Sequence, residues 1–219
     1  MRAVTAPVIR ALLRPVSRTL PRRALAAGSA LGLLLAGSPR LLSSPPDAWL
    51  CLSLLRAAAL AFGLGLAFLL DDPARHTTAA VPTRRPVRIG LRVALVAPFA
   101  VLWWTTALLL VPEETRPPVG AVTLEAAAIA VLALAAAALA VRWSDVAEPG
   151  VGVSAGLPVA VLACALLLPE RWELFVAVAD PRWDGAHERW AGLLVVAAVV
   201  GVCSVAEPGR RRITALAHR

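Results

Sequence analysis

Four polar residue types are missing from this sequence. It contains no lysine, asparagine, glutamine or tyrosine, and all 22 of its basic residues are arginine. The 219 residues are 59% hydrophobic, whereas a soluble domain is about 45–50% apolar. The sequence therefore predicts a protein whose solvent is largely the lipid bilayer. The dominance of alanine, leucine, valine and arginine also favours a GC-rich bacterial genome.

Signatures of chemistry are also scarce. The three cysteines lie inside apolar runs without a CxxC pair or a neighbouring histidine, which is typical of small packing residues. The chain contains no P-loop, HExxH or GxSxG pattern. Asp180, Asp184 and His187 have a spacing that could face one cation, but Pro181 and Gly185 disfavour a regular helix there. We therefore expect no enzyme, no cofactor and no metal site.

Six apolar runs predict an all-α, polytopic membrane bundle of six transmembrane helices. They cover residues 24–42, 48–70, 89–111, 119–141, 151–168 and 190–206. Residues 1–23 form a basic amphipathic segment suited to an anionic leaflet, with a disordered tail as the alternative, and 207–219 form a basic tail. A signal sequence is the alternative for 24–42.

The distribution of arginine predicts the orientation of the bundle. The two terminal segments and the 71–88 and 142–150 connections hold 15 arginines, and the opposite connections hold five. The positive-inside rule then places both termini in the cytoplasm of a bacterial plasma membrane. Because the arginines cluster between apolar runs, we interpret them as topology signals and expect no nucleic-acid partner.

Small residues recur at every fourth position in three of the spans, which predicts faces on which helices can pack closely. These stripes are Gly28, Gly32 and Ala36; Ala59, Gly63 and Ala67; and Gly152, Gly156, Ala160 and Cys164. A separate repeat, VAEPG, occurs at 146–150 and again at 205–209, and Asp72-Pro73 holds the equivalent place after the second span. We interpret these acid-proline pairs as helix stops, with three helical hairpins as a hypothesis.

Charged residues inside spans need partners. Arg56 lies eight residues into the second span and Glu125 six residues into the fourth, which corresponds to depths of roughly 12 and 9 Å from the same side. We hypothesise that they form a buried ion pair, the alternative being that each reaches its own interface. Arg92, near the other end of the third span, is interpreted as a snorkelling anchor.

The loop after the second span carries a resemblance. The run LLDDPARHTTAAVPT at 69–83, followed by Arg84-Arg85 and a new span, resembles small polytopic membrane proteins of actinobacteria that accompany ABC-transporter ATPases. The layout also resembles ABC-2-type exporter permeases. Such permeases have a basic amphipathic N-terminal helix, a cytoplasmic coupling loop after the second span and a re-entrant element before the sixth. Residues 8–20, 71–88 and 169–189 occupy those three positions.

The resemblance implies a permease subunit of an exporter, homo- or hetero-oligomeric, that couples to a separate ATP-binding subunit. The implied ATPase contacts are Asp71, Asp72, Arg75, Arg84 and Arg85. A non-catalytic scaffold that binds other transmembrane helices is the alternative, and a gradient-driven carrier is a third possibility. The 169–189 segment, where apolar and acidic residues alternate, is expected to fold back as an amphipathic hairpin anchored by Trp172, Trp183 and Trp190.

Overall fold

Runs of alanine, leucine and valine, with glycine and proline concentrated between them, fold into six long helices. The computed structural model describes residues 17–41, 47–71, 85–143 and 148–205. The helices are α1 (Arg22–Gly37), α2 (Ala48–Ala67), α3 (Arg85–Leu110), α4 (Val119–Trp143), α5 (Gly150–Leu167) and α6 (Trp183–Val205). Short 3-10 turns extend α1 through Leu41 and α2 through Leu70. The described residues contain no strand.

All six helices are long and apolar enough to cross a membrane, so the all-α bundle predicted from the hydropathy pattern is confirmed. Two boundaries differ from the prediction. Helix α3 begins at Arg85, and α6 begins at Trp183, inside the segment expected to be a loop. The N-terminal residues 1–16 and the tail 206–219 lie outside the described residues, and with them most of the predicted basic segments.

Helix α2 is the centre of the bundle. Of the span windows, that of α2 is 67% buried and that of α5 only 6%. Helix α1 packs along one side of α2, and α4 packs along another and also along α6. The three-hairpin hypothesis is therefore wrong as a description of packing: of the three predicted pairs only α1–α2 packs closely within the described residues, whereas α3 barely contacts α4 and α5 barely contacts α6. Which helices pack together therefore depends less on their order in the sequence than on which faces carry small residues.

The contact between α1 and α2 is a backbone approach through glycines. A Cβ atom added at Gly28 would lie 2.5 Å from the carbonyl oxygen of Ala61, and one at Gly65 would lie 2.9 Å from that of Ala24. Trp103 of α3 closes this region, stacking on Phe62 with ring centroids 4.3 Å apart and donating its indole N–H to the Ser29 carbonyl at 3.0 Å. The close face predicted for α1 is therefore present.

The acid-proline repeat does not stop a helix where the structure describes it. Helix α4 ends at Trp143, whereas Pro149 is the N-cap residue of α5. The Glu148-Pro149 pair therefore precedes the start of a helix, a position where the missing N–H of proline costs nothing. The second copy at 205–209 and the Asp72-Pro73 pair lie almost entirely outside the described residues.

Candidate functional site

A buried ion pair joins α2 to α4. The Arg56 guanidinium donates from Nε to Glu125 Oε2 and from Nη2 to Oε1, both at 2.7 Å. The Arg56 and Glu125 side chains are only 8% and 2% exposed. This is the two-pronged geometry that binds a carboxylate most strongly, and the ion pair hypothesised from the sequence is therefore present. We call the end of the bundle that holds this pair and Trp49 the Trp49 end, and the opposite end the Asp71 end.

His187 of α6 is the third member of this cluster, and sequence reasoning missed it. Its Nε2 lies 3.1 Å from Glu125 Oε1. The residue was assigned to an external loop because the apolar run begins at Trp190, but α6 starts seven residues earlier. The signal was present in the spacing of Trp183, His187 and Trp190, which places the three side chains on one helical face.

The hydrogen bonds of His187 define how it acts on Glu125. Its Nδ1 lies 2.8 Å from the Trp183 carbonyl, and since a carbonyl can only accept, Nδ1 carries a proton. The Nε2 atom forms no hydrogen bond among the described residues, although it lies beside the Glu125 carboxylate. Arg56 therefore holds the Glu125 carboxylate in place, and His187 packs beside it.

The segment between α5 and α6 packs onto this cluster. The Val176 carbonyl accepts from Arg56 Nη1 at 3.1 Å, and the Leu174 carbonyl accepts from the Trp190 indole at 3.1 Å. Leu174, Val176 and Trp190 are all buried. The segment folds back against the bundle, as expected, but it contains no strand, and the prediction for Trp190 is wrong because this residue lies in the core rather than at an interface. Trp172 remains exposed, as an anchor would be.

Asp180 pairs within its own turn instead of facing a cation with Asp184 and His187. Both of its carboxylate oxygens accept from the Arg182 guanidinium, at 3.0 and 2.8 Å. These hydrogen bonds lower the pKa of Asp180 to about 2 and raise that of Arg182. Within the described ranges, no three histidine, cysteine or acidic side chains lie close enough to hold a metal.

A cleft of about 280 Å³ lies beside the ion pair at the Trp49 end. The Arg56 guanidinium forms one wall, between the rings of Trp49 and Phe175, whose centroids are 5.9 and 5.6 Å away. Both distances are within the range of cation–π attraction. The remaining walls are mostly aliphatic and include Ile129 and Val161. The cleft therefore combines an apolar interior with one buried cation.

At the Asp71 end, the loop assigned to ATPase docking begins at a fixed point. Asp71 Oδ1 accepts a hydrogen bond of 2.8 Å from the backbone N–H of Gly150, the first residue of α5. Burial raises the pKa of Asp71, with Glu148 acting in the same direction, while the Gly150 hydrogen bond and Arg92 oppose the rise. The carboxylate that the sequence assigned to a partner is thus occupied within the chain.

The other residues assigned to docking are only partly visible. Asp72, Arg75 and Arg84 lie outside the described residues, and Arg85 is described only as the first residue of α3. Arg92 corrects the prediction of a snorkelling anchor, because it is buried and donates from Nη1 to the carbonyls of Leu69 and Asp71 at 3.1 and 3.0 Å.

Other arginines stabilise helix ends, a role that the count of charges did not reveal. Arg40 donates to the carbonyls of Leu109 and Leu110 at 2.8 and 2.6 Å, and Arg142 donates to the Cys203 carbonyl at 2.8 Å. The last carbonyls of a helix have no intrahelical partner, so a cation there satisfies both hydrogen bonding and the helix dipole. Arg40 and Arg142 are therefore packing residues, whatever the orientation of the bundle.

The fold and this site together define a multi-pass α-helical membrane protein with a buried charged cluster at one end. No protein-family model matches the chain, and neither a curated protein nor a solved structure matches it.

Proposed function

We propose that this chain is the permease subunit of an ABC-type exporter in a bacterial plasma membrane, with both termini in the cytoplasm. The six membrane-length helices and the arginine excess on the Asp71 side support this arrangement. In this proposal the chain has no enzymatic chemistry of its own. A separate ATP-binding subunit docks on the 71–88 segment and supplies the energy, and the permease acts as an oligomer.

The observation that carries the proposal is how the base of this segment is attached. Asp71 is bonded to the start of α5, and Arg92 of α3 holds the last carbonyls of α2. A force applied between residues 71 and 85 would therefore act on α2, α3 and α5 together. On the arginine-rich face, the α4–α5 connection spans only residues 144–149, so the α2–α3 connection is the longer of the two.

Copurification with an ATPase encoded by a neighbouring gene tests the docking claim. The combined Asp72→Ala, Arg75→Ala, Arg84→Ala and Arg85→Ala variant should lose the ATPase, because the paired charges that recognise it are gone. The matched control replaces Arg210, Arg211 and Arg212 by alanine, which removes a basic cluster of similar size from the tail. Retention of the ATPase by the first variant would refute docking at this segment.

A membrane scaffold is the second candidate, and the exposed face of α5 favours it. Gly152 and Gly156 have no atom within 4 Å of an added Cβ, and both are exposed. Small residues on an exposed membrane face allow another helix to approach closely. An ATPase that copurifies and is stimulated by the chain would support the exporter, whereas copurification of other membrane proteins without any ATPase would support the scaffold.

A further inference from the structure

The cleft at the Trp49 end lies between three helices and the α5–α6 segment. Helix α2 contributes Trp49 and Arg56, α4 contributes Ile129, α5 contributes Ala165, and the segment contributes Phe175. Ala165 is exposed, and Trp49 is 46% exposed. The cleft is therefore open along the side where α2 and α5 face the lipid, and a molecule can enter it from the bilayer without passing through water.

The Arg56 side chain brings unused hydrogen-bond donors to this cleft. A guanidinium has five N–H groups, and three of those on Arg56 donate to Glu125 and Val176. Two remain without an acceptor among the described residues, although the side chain is only 8% exposed. A buried donor that lacks an acceptor is costly in a medium without water. An oxygen from a bound molecule would satisfy these N–H groups.

The charge balance indicates which kind of oxygen fits. Glu125 already neutralises Arg56, so an additional anion would meet the nearby carboxylate. A neutral carbonyl oxygen would not be repelled in this way by the Glu125 carboxylate, and the aliphatic walls suit a hydrocarbon chain. Arg56 lies eight residues into α2, about 12 Å from its first residue. The polar zone of one leaflet is roughly 5–8 Å deep, so a long arginine side chain reaches the depth of the lipid esters.

We propose that the cleft is a phospholipid site: one acyl chain lies against Ile129, Val161 and Ala165, and its ester carbonyl accepts from Arg56. The lipid belongs to the leaflet at the Trp49 end. Trp49 and Phe175 flank the guanidinium and close the site around the carbonyl. This inference is independent of the proposed exporter function, since it rests only on the cleft and the donors beside it.

Retention of two matched lipids tests the carbonyl contact without any mutation. The full-length protein is reconstituted with equal amounts of diester and diether phosphatidylcholine of the same chain length, extracted into detergent and examined by native mass spectrometry. A site that hydrogen-bonds a substrate group rejects an analogue without that group, so the diester should be retained about tenfold more than the diether. Equal retention would overturn the proposal.

A filled cleft tests the position of the chain. Ala165→Phe places a ring in the cleft and should lower diester retention about tenfold, to the level of the diether. Ala155→Phe is the matched control, since Ala155 is also exposed on α5 but does not line the cleft, and it should leave retention unchanged. Both variants alter exposed residues, and a monodisperse elution profile checks that each folds. Loss of the diester in both, or in neither, would overturn the assignment.

Discussion

Helices α1 and α5 carry the same sequence pattern and use it differently. Each has small residues at every fourth position, Gly28 and Gly32 in α1 and Gly152 and Gly156 in α5. At the α1 stripe the backbones of two helices meet, whereas no atom lies within 4 Å of a Cβ added at Gly152 or Gly156. The spacing therefore shows only that a face permits close approach. A neighbouring helix must also be held there by something else.

The contacts that hold the neighbours differ in kind. Helix α1 is held along its length by α2 and Trp103, and α2 in turn is fixed to α4 by the Arg56–Glu125 pair. Helix α5 is fully buried only at its first residue, and along the rest of its length it packs more lightly against α2 and α4. A Cβ at Gly150 would lie 2.6 Å from the Phe68 ring and 2.7 Å from Asp71 Oδ2. One helix is a structural member of the core, and the other lies at the edge of the bundle with its tightest contact at one end.

The largest effect is expected from breaking the ion pair that fixes α2. Glu125→Ala leaves a buried, unpaired guanidinium, and such a loss costs about 3–5 kcal/mol in the free energy of unfolding. Thermal unfolding in mild detergent measures it, with Glu114→Ala, in an exposed turn, as the control. The charge-swapped Arg56→Glu, Glu125→Arg protein should be more stable than either single reversal. If it is no more stable, the pair does not hold the two helices together.

Gly28→Leu should have the next largest effect, a loss of roughly 3 kcal/mol or more in the free energy of unfolding. The reason is that the new Cβ meets a backbone oxygen rather than a flexible side chain. Overpacking of an ordinary core site costs about 1–3 kcal/mol. Helices α1 and α2 would have to separate, which would also disturb the Trp103 stack on Phe62. A shift in tryptophan fluorescence together with a lower melting temperature would report this. Unchanged fluorescence would contradict the close contact.

The helices and the ion pair could be predicted from the sequence, but which small-residue stripe packs against another helix could not. Hydropathy gave the six spans because a bilayer requires about 20 apolar residues per helix, and the depth of two charges gave the Arg56–Glu125 pair. The stripes of α1 and α5 were equivalent as sequences, because neighbours are set by tertiary packing. His187 was missed because α6 begins before the apolar run. The role of Arg92 was misassigned because an arginine near the end of a span can either reach the interface or bond the carbonyls of a neighbouring helix end, and the sequence does not distinguish the two.

Gly150→Leu should have an intermediate effect, of about 1–3 kcal/mol, since the Phe68 ring must move and the amide capped by Asp71 shifts. The expected result is partial detachment of α5 with the rest of the bundle intact. Faster cysteine labelling measures the detachment. Cys164 of α5 should become more reactive, and buried Cys51 of α2 should stay protected. Equal exposure of both would mean that the whole bundle unfolds.

Asp71→Asn should have a smaller effect that depends on pH. Burial raises the pKa of Asp71 above its ordinary value of 3.8, so the folded state binds the proton more tightly. The free energy of unfolding of the native protein therefore falls as pH rises from 3.8 through the raised pKa, and stays lower above it. Asparagine keeps an oxygen for the Gly150 amide and removes the titration. The variant should lack this decline, which melting curves between pH 4 and 8 will show.

Gly156→Leu should have the smallest effect on the fold, at most about 1 kcal/mol, and of stabilising sign because leucine is the better helix former. A Cβ added at Gly156 has no atom within 4 Å, and the position is exposed. If the α5 stripe binds a second helix, however, the same leucine would block that helix from approaching. The variant should then retain its melting temperature and lose its oligomeric state in light scattering. A protein that keeps both would show that this stripe of α5 faces lipid, and that α5 contributes to assembly only through its contacts within the bundle.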